Sequence, residues 1–302
     1  MSEGCATSLS AVLVQAFSDQ PFSGNGAAVV RLPQPASAAW MQALAANLKQ
    51  SETAYLVPWQ DGWALRWFTP SCEVPLCGHA TLAALVALGH WGHLEAGQPC
   101  RFHTRSGPLA VVLGREGAGG SLELPSGTLE PMAPPEALSL LLERRLGAEP
   151  QGYWRSGLGY RVALIADEAP LAAMGSLASE LVGDERNGLV LMQSLPATTT
   201  RMVEARPADY QLRFFAPGLG IDEDPVTGSA HALVAPYWQQ RCNKAAVVGW
   251  QCAPRGGGML LEPASSGMIR LTGRGHLLWE GRLNAGLEEE SHQAWRSWLN
   301  GA

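Results

Sequence analysis

Two short stretches carry most of the polar chemistry that the chain places next to apolar helices. Residues 77–81 read Cys-Gly-His-Ala-Thr and lead into 82-LAALVALGHW-91. Residues 224–229 read Asp-Pro-Val-Thr-Gly-Ser and lead into 230-AHALVAPYW-238. A helix that is hydrophobic all round must be surrounded by other structure. The polar groups then collect at its N-terminus, where backbone N–H groups lack intrahelical partners and the macrodipole is positive. Such a start holds a carboxylate without needing a cationic side chain. Gly78 and Gly228 leave room for a ligand against the backbone, and each half of the chain offers one such start.

The elements that would position these starts follow from periodicity. Residues 10–17, 26–32, 51–58 and 62–68 alternate or run apolar between turn residues, which predicts strands. Residues 37–50 have helical spacing after Pro33 and Pro35, with Ser37 as N-cap. Strands are expected at 100–106, 108–114 and 121–125, then a Pro-rich boundary over 126–138. The pattern then restarts, with strands at 160–166, 188–194 and 210–216, a helix near 168–183, the Gly228 helix, and strands at 246–252, 259–263, 268–273 and 276–283. This suggests an internal duplication. The expected fold class is α+β: two similar halves, each a curved, mostly antiparallel sheet or barrel around a wholly apolar central helix. The expected domains are 1–126 with a C-terminal tail of about 284–302, and 127–283, with the active site in the cleft between them. The tail 292-HQAWRSWLNGA-302 reads as a short amphipathic helix closing a core or a dimer edge.

Many chemistries are absent from the sequence. It holds no Gly-Lys-Ser/Thr phosphate loop, no complete G-x-G-x-x-G and no G-x-S-x-G elbow. No C-x-x-C occurs, and His90-x-x-His93 has no further ligands at useful spacing, so no metal is expected. The two lysines, Lys49 and Lys244, lack the context of a pyridoxal site. The expectation is an enzyme without cofactor. Charged residues are 16% of the 302 and the net charge is −6, with no basic run, which argues against nucleic acid or an anionic membrane as partner. No apolar run of about 18 residues and no signal peptide are evident, and the six scattered cysteines read as reduced thiols of a cytoplasmic protein. His90, His93, His103, His276 and His292 read as structural.

Several motifs together resemble the PhzF-like family, the phenazine-biosynthesis isomerase group within the diaminopimelate-epimerase superfold. They are 16-AFSDQPFSGNGAAVV-30, 51-SETAYL-56, 68-FTPSCEVPLCGHAT-81, 215-FAPGLGIDEDPVTGSAH-231 and 251-QCAPRGGGMLL-261. The resemblance implies cofactor-free proton transfer on a small carboxylic acid, commonly by a homodimer. It places the catalytic glutamate on Glu52 and further catalytic residues on His79, Asp224 and Ser229. Substrate binding is expected from Gly78, Gly228, Cys77, Thr227 and Asn25. On spacing alone Glu52 is a solvent-facing residue beside a strand, and only the resemblance gives it a role. Diaminopimelate and proline epimerases place one cysteine at each central-helix start. Here Cys77 stands at the first, but the second has Asp224-Pro225-Val226, so two-thiol racemisation is unavailable. A helix N-terminus is expected to lower the pKa of Cys77. The alternatives are a small-acid binding protein without turnover and a Cys77-dependent epimerase or lyase.

Overall fold

A computed structural model describes residues 8–195, 200–265 and 267–301, so Cys5 lies outside the described residues. Its helices are α1 (Ala38–Leu48), α2 (Gly78–His90), α3 (Glu136–Leu146), α4 (Gly228–Cys242) and α5 (His292–Leu299). The chain folds as two compact units. The first gathers Met1–Ala16, Gly26–Glu123 and Arg274–Ala302, and the second gathers Phe17–Asn25 and Leu124–Gly273.

In the first unit a ring of strands closes around α2. Ser8–Ala16 pairs with Asn25–Arg31 and, on its other side, antiparallel with the long strand Met268–Asn284. The ring continues from Asn25–Arg31 through Glu52–Trp59 (parallel), Gly62–Phe68 (antiparallel), Pro99–Thr104 (parallel), Gly107–Leu113 and Gly119–Pro125 (both antiparallel). Gly119–Pro125 returns to Met268–Asn284 and completes the ring. Every residue of α2 from Gly78 to Leu88 is buried. This is why the helix has no polar face: the barrel surrounds it, and only its ends reach other environments.

Smaller helices brace that barrel. Ser37 caps α1 as its sequence predicts, accepting a hydrogen bond from Trp40 N at 3.2 Å. Helix α5 closes the same core. Trp295 is fully buried and its Nε1 donates to Ala36 O at 2.9 Å. The predicted amphipathic tail is therefore a core element of this unit.

The second unit repeats the plan with differences. Leu129–Pro131, Gly152–Ser156, Arg161–Leu164, Leu189–Ser194, Tyr210–Ala216, Val247–Gln251, Gly257–Pro263 and Met268–Asn284 pair in that order, with two parallel pairs among antiparallel ones. Helix α4 is buried from Ala230 to Ala235 and exposed at Pro236, so its second half is not enclosed as expected.

Three local expectations fail for physical reasons. The lateral helix of the second half is α3, inside and beyond the stretch read as a Pro-rich boundary. Pro135 stands at its N-cap, where a missing N–H costs nothing, and Gly147 ends it in a left-handed conformation (φ 79°). Leu138, Leu141, Leu142 and Leu146 then face a core containing Tyr153, Leu189 and Phe215. Residues 168–183 hold only short 3-10 turns, Leu171–Ala173, Ala178–Glu180 and one beginning at Gly183, because Pro170, Gly175 and Gly183 interrupt the run. The strands expected at 268–273 and 276–283 are one strand, Met268–Asn284, which passes through Gly275 without a break. Among the described residues no helix is long and apolar enough to cross a membrane.

Candidate functional site

The start of α2 and the start of strand Glu52–Trp59 meet in the first unit. Cys77 is the N-cap of α2 in extended conformation, and its side chain makes no capping hydrogen bond. Gly78 is therefore the first helical residue and His79 the second. Glu52 opens its strand in parallel register with Ala27. His79 Nε2 lies 2.9 Å from Glu52 Oε2, an ion-pair contact. Cys77 Sγ lies 3.5 Å from His79 Nδ1 and 3.9 Å from Nε2. All three are buried, with Glu52 at 6% exposure, Cys77 at 7% and His79 at 4%. Glu52 is thus not the solvent-facing residue that spacing alone suggests.

Burial and charge act on these groups in opposing ways. Burial alone pushes the His79 pKa down, but the charges of Cys77 and then Glu52, with hydrogen bonding to both, outweigh it, and the imidazole ends well above its ordinary 6.5. Cys77 moves the other way from the expectation. Loss of hydration, reinforced by the Glu52 charge, pushes its thiol up to about 11, and the helix start does not offset that. A thiol of that basicity is protonated at neutral pH. The support for imidazolium at neutral pH therefore comes from Glu52 and not from a thiolate.

The second unit builds a different arrangement at the start of α4. Asp224 is buried at 7% exposure. Its Oδ1 accepts from Asn25 Nδ2 at 2.6 Å and its Oδ2 from Thr227 Oγ1 at 2.5 Å. Asn25 Nδ2 also donates to Val226 O at 3.1 Å. Gln251 bridges the same turn: its Nε2 donates to Asp224 O at 2.6 Å, and its Oε1 accepts from Thr227 N at 2.7 Å. Thr227 is the N-cap, but its hydroxyl serves Asp224 and makes no cap bond. Gly228 opens the helix, and Ser229 Oγ lies 3.2 Å from the Tyr160 hydroxyl. One turn on, His231 is completely buried, 2.8 Å from the Tyr210 hydroxyl through Nδ1, and burial pushes it down to about 3.

The residues named from sequence thus fall into two groups. Glu52, Cys77, Gly78 and His79 come together in the first unit. Asn25, Asp224, Thr227, Gly228 and Ser229 come together in the second. Sequence reasoning missed Gln251 and Tyr160, which touch the second group. It also missed a device present in both units. Arg66 is buried, pairs with Glu73 through Nε at 2.8 Å and Nη2 at 2.9 Å, and stands over the Phe68 ring. Arg213 is buried, pairs with Glu223 at 2.7 Å through both Nε and Nη2, and stands over Phe215. Each pair ties a strand end to the loop that leads into a central helix. The repeated 66-RWFTP-70 and 213-RFFAP-217 was the available signal.

Comparison with known proteins agrees with this architecture. A crystal structure of a PhzF-family phenazine biosynthesis protein from Enterococcus faecalis superposes with a TM-score of 0.79 at 31% identity, covering 92% of this chain and 99% of that one. A hydroxyproline epimerase from Agrobacterium vitis shares the fold at a TM-score of 0.60 and 13% identity, over 91% of this chain and 92% of that one. Among curated proteins, an uncharacterised isomerase of Pseudomonas aeruginosa is 40% identical over 81% of this chain and 87% of its own length. One of Halalkalibacterium halodurans is 38% identical over the same shares. The family model described as phenazine biosynthesis-like protein matches residues 14–281, which takes in both helix starts and the strands that hold them, and the chain belongs to that family.

Proposed function

We propose that this isomerase moves a proton between carbons of a small carboxylic acid, with Glu52 as the proton carrier. The observation that carries the reading is the buried Glu52–His79 contact of 2.9 Å at the start of α2. An ionised carboxylate in so dry a position needs a partner, and the His79 imidazolium supplies it. Glu52 takes a proton from one substrate carbon and returns it to another. The charge left on the substrate in between is enolate-like, and in this reading the N–H groups at the start of α2, around Gly78, stabilise it. His79 holds Glu52 in orientation and exchanges protons with it.

Asp224 has both carboxylate oxygens engaged by Asn25 and Thr227, which supports a positioning role more than proton transfer. It fixes the turn that presents Gly228 and Ser229, the anion-binding groups of this reading. The thiol reading is weaker, because a group pushed up to about 11 is a poor base at neutral pH. The resemblance also makes a homodimer the assembly to test, by sedimentation equilibrium.

The test is proton exchange in heavy water followed by NMR, over amino acids, imino acids and dihydroaromatic acids. Wild type should exchange or isomerise at least one class, and Glu52→Gln should lose about 10²-fold or more. Exchange that survives in Glu52→Gln but dies in Cys77→Ser would move the chemistry to the thiol. A ligand that binds yet never exchanges would favour a binding protein.

A further inference from the structure

The three groups at the start of α2 have a second chemical capability. A carboxylate oxygen, an imidazole nitrogen and a sulfur all lie within 4.8 Å of one another. They come from separate places in the sequence, Glu52 on a strand and Cys77 and His79 at a helix start, so no C-x-x-C or H-x-x-H spacing announces them. We propose that Glu52, Cys77 and His79 form a site for a thiophilic divalent cation, with Zn2+ the best fit, and that the cation blocks proton transfer by occupying the proton carrier.

The geometry is close to what such an ion requires. Tetrahedral zinc with ligand bonds of roughly 2.0–2.3 Å sets its ligand atoms about 3.3 Å apart for N and O and about 3.5 Å apart for N and S. Here His79 Nε2 stands 2.9 Å from Glu52 Oε2 and 3.9 Å from Cys77 Sγ. Side-chain shifts of a few tenths of an ångström bring these two edges to the required length, and the third, from Cys77 Sγ to the Glu52 carboxylate, lies within 4.8 Å. Glu52 Oε2 is buried and already faces His79 Nε2 at 2.9 Å. A carboxylate oxygen carries more than one lone pair, so loss of the proton on His79 Nε2 leaves both atoms free to bind one cation. Three protein ligands leave a fourth position for water or a substrate carboxylate.

The ligand set also selects the ion. A sulfur and an imidazole favour Zn2+ over the oxygen-seeking Mg2+ and Ca2+. Binding forms three coordination bonds and expels the Cys77 thiol proton and the proton on His79 Nε2 to solvent, with no change of oxidation state. The buried thiol, idle as a nucleophile, becomes the anchor. Only the blocking step rests on Glu52 being the proton carrier; the binding step does not.

The experiment titrates the full-length protein with Co2+, a spectroscopic stand-in for zinc, in a reductant that does not bind metals. A thiolate-to-cobalt charge-transfer band should saturate at a single equivalent and be displaced by Zn2+. It should vanish in Cys77→Ser, weaken at least tenfold in affinity in His79→Gln, and persist when Cys72, Cys100 and Cys242 are replaced by Ser together. No band, or a band that persists in Cys77→Ser, overturns the site. Should Cys77→Ser fail to fold, X-ray absorption of the zinc-loaded wild type decides: one sulfur at about 2.3 Å with N/O ligands near 2.0 Å supports it, and an N/O-only shell overturns it. The two readings separate cleanly. A correct band with no carbon-proton exchange leaves the site standing and removes the proposed function. Exchange that needs Glu52 but is unaffected by a bound equivalent of Zn2+ removes the blocking step alone. Inhibition reversed by a chelator supports both.

Discussion

Two buried histidines, one in each central helix, face opposite electrostatic outcomes. His79 has a carboxylate beside it and is held above 6.5, whereas His231 has only the Tyr210 hydroxyl and is pushed down to about 3. Their contributions to stability therefore have opposite signs. For His79 the native state binds the proton more tightly than the unfolded chain. Its contribution is complete below about pH 6.5 and is lost as pH rises through the higher folded value. For His231 the unfolded chain binds the proton more tightly. Stability is lost as pH falls below 6.5 toward about 3, by at most about 1.4 kcal/mol per pH unit. NMR titration of the imidazoles checks both: His79 should remain protonated above pH 7 and His231 neutral at pH 5. Urea melts of His79→Gln beside wild type should show the largest deficit at pH 6 and a smaller one at pH 9. A deficit that grows with pH would mean the Glu52–His79 contact is not an ion pair. None of this was legible in the sequence. His79 was marked by its place in Gly-His-Ala-Thr, but the sign of its shift depends on Glu52, which lies 27 residues away and is brought close only by the barrel.

At the scale of elements, the two Arg–Glu pairs are what make a helix start into a fixed site. Arg213 and Glu223 have side-chain exposures of 2% and 12%, so removing the cation leaves a carboxylate in a dry place. Arg213→Met should destabilise by about 3–5 kcal/mol, measured by denaturant melts. Arg213→Lys should recover little, because an ammonium cannot make the two parallel bonds of the fork. A second device is the glycine run 256–258. Gly24 N donates to Arg255 O at 2.7 Å, and Gly258 N donates to Phe17 O at 2.9 Å, so the run clasps the segment that ends in Asn25. A Cβ on Gly257 would sit 2.1 Å from Phe17 O, a backbone atom that cannot rotate away. Gly257→Ala should therefore cost about 1–3 kcal/mol. It should also loosen the Asn25–Asp224 hydrogen bond, visible as faster amide exchange at Val226 and Thr227. The central helices and most strands were readable because their periodicity reflects local burial. Helix α3 was not, because Pro134 and Pro135 look like a boundary and only the core formed by Tyr153, Leu189 and Phe215 makes them a helix start. The Gly-Gly-Gly run was visible as a motif, but its reason lies in a contact with Phe17 across the whole chain length.

At the scale of the molecule, the barrel that holds Glu52 and His79 is assembled from both ends of the chain. Its first strand, Ser8–Ala16, is paired from Ser8↔Asn284 to Ala16↔Gly275, and the residues after its partner Met268–Asn284 lead into α5. Trp295 enters a core shared with Met41, Ala45 and Tyr55. Tyr55 lies on the strand that Glu52 opens, and its hydroxyl donates to Met41 O at 2.7 Å. Arg66, on the next strand, has its guanidinium 4.4 Å from the centre of the Trp298 ring and 5.1 Å from that of Trp295. The C-terminal helix therefore supports the strands behind the site, even though it touches none of the groups that do chemistry. Trp295→Ala should destabilise by about 3–5 kcal/mol, since it opens a large cavity and strands Ala36 O without its donor. Truncation before His292 should go further, because it also removes the ring that covers the Arg66 guanidinium. The reading separates from generic destabilisation by what happens below the melting temperature. If α5 supports the strand that starts at Glu52, the folded Trp295→Ala protein should show a perturbed His79 imidazole titration at 15 °C while His231, in the other unit, titrates as in wild type. Equal perturbation of both histidines would mean that the loss is global and that α5 has no particular hold on the site.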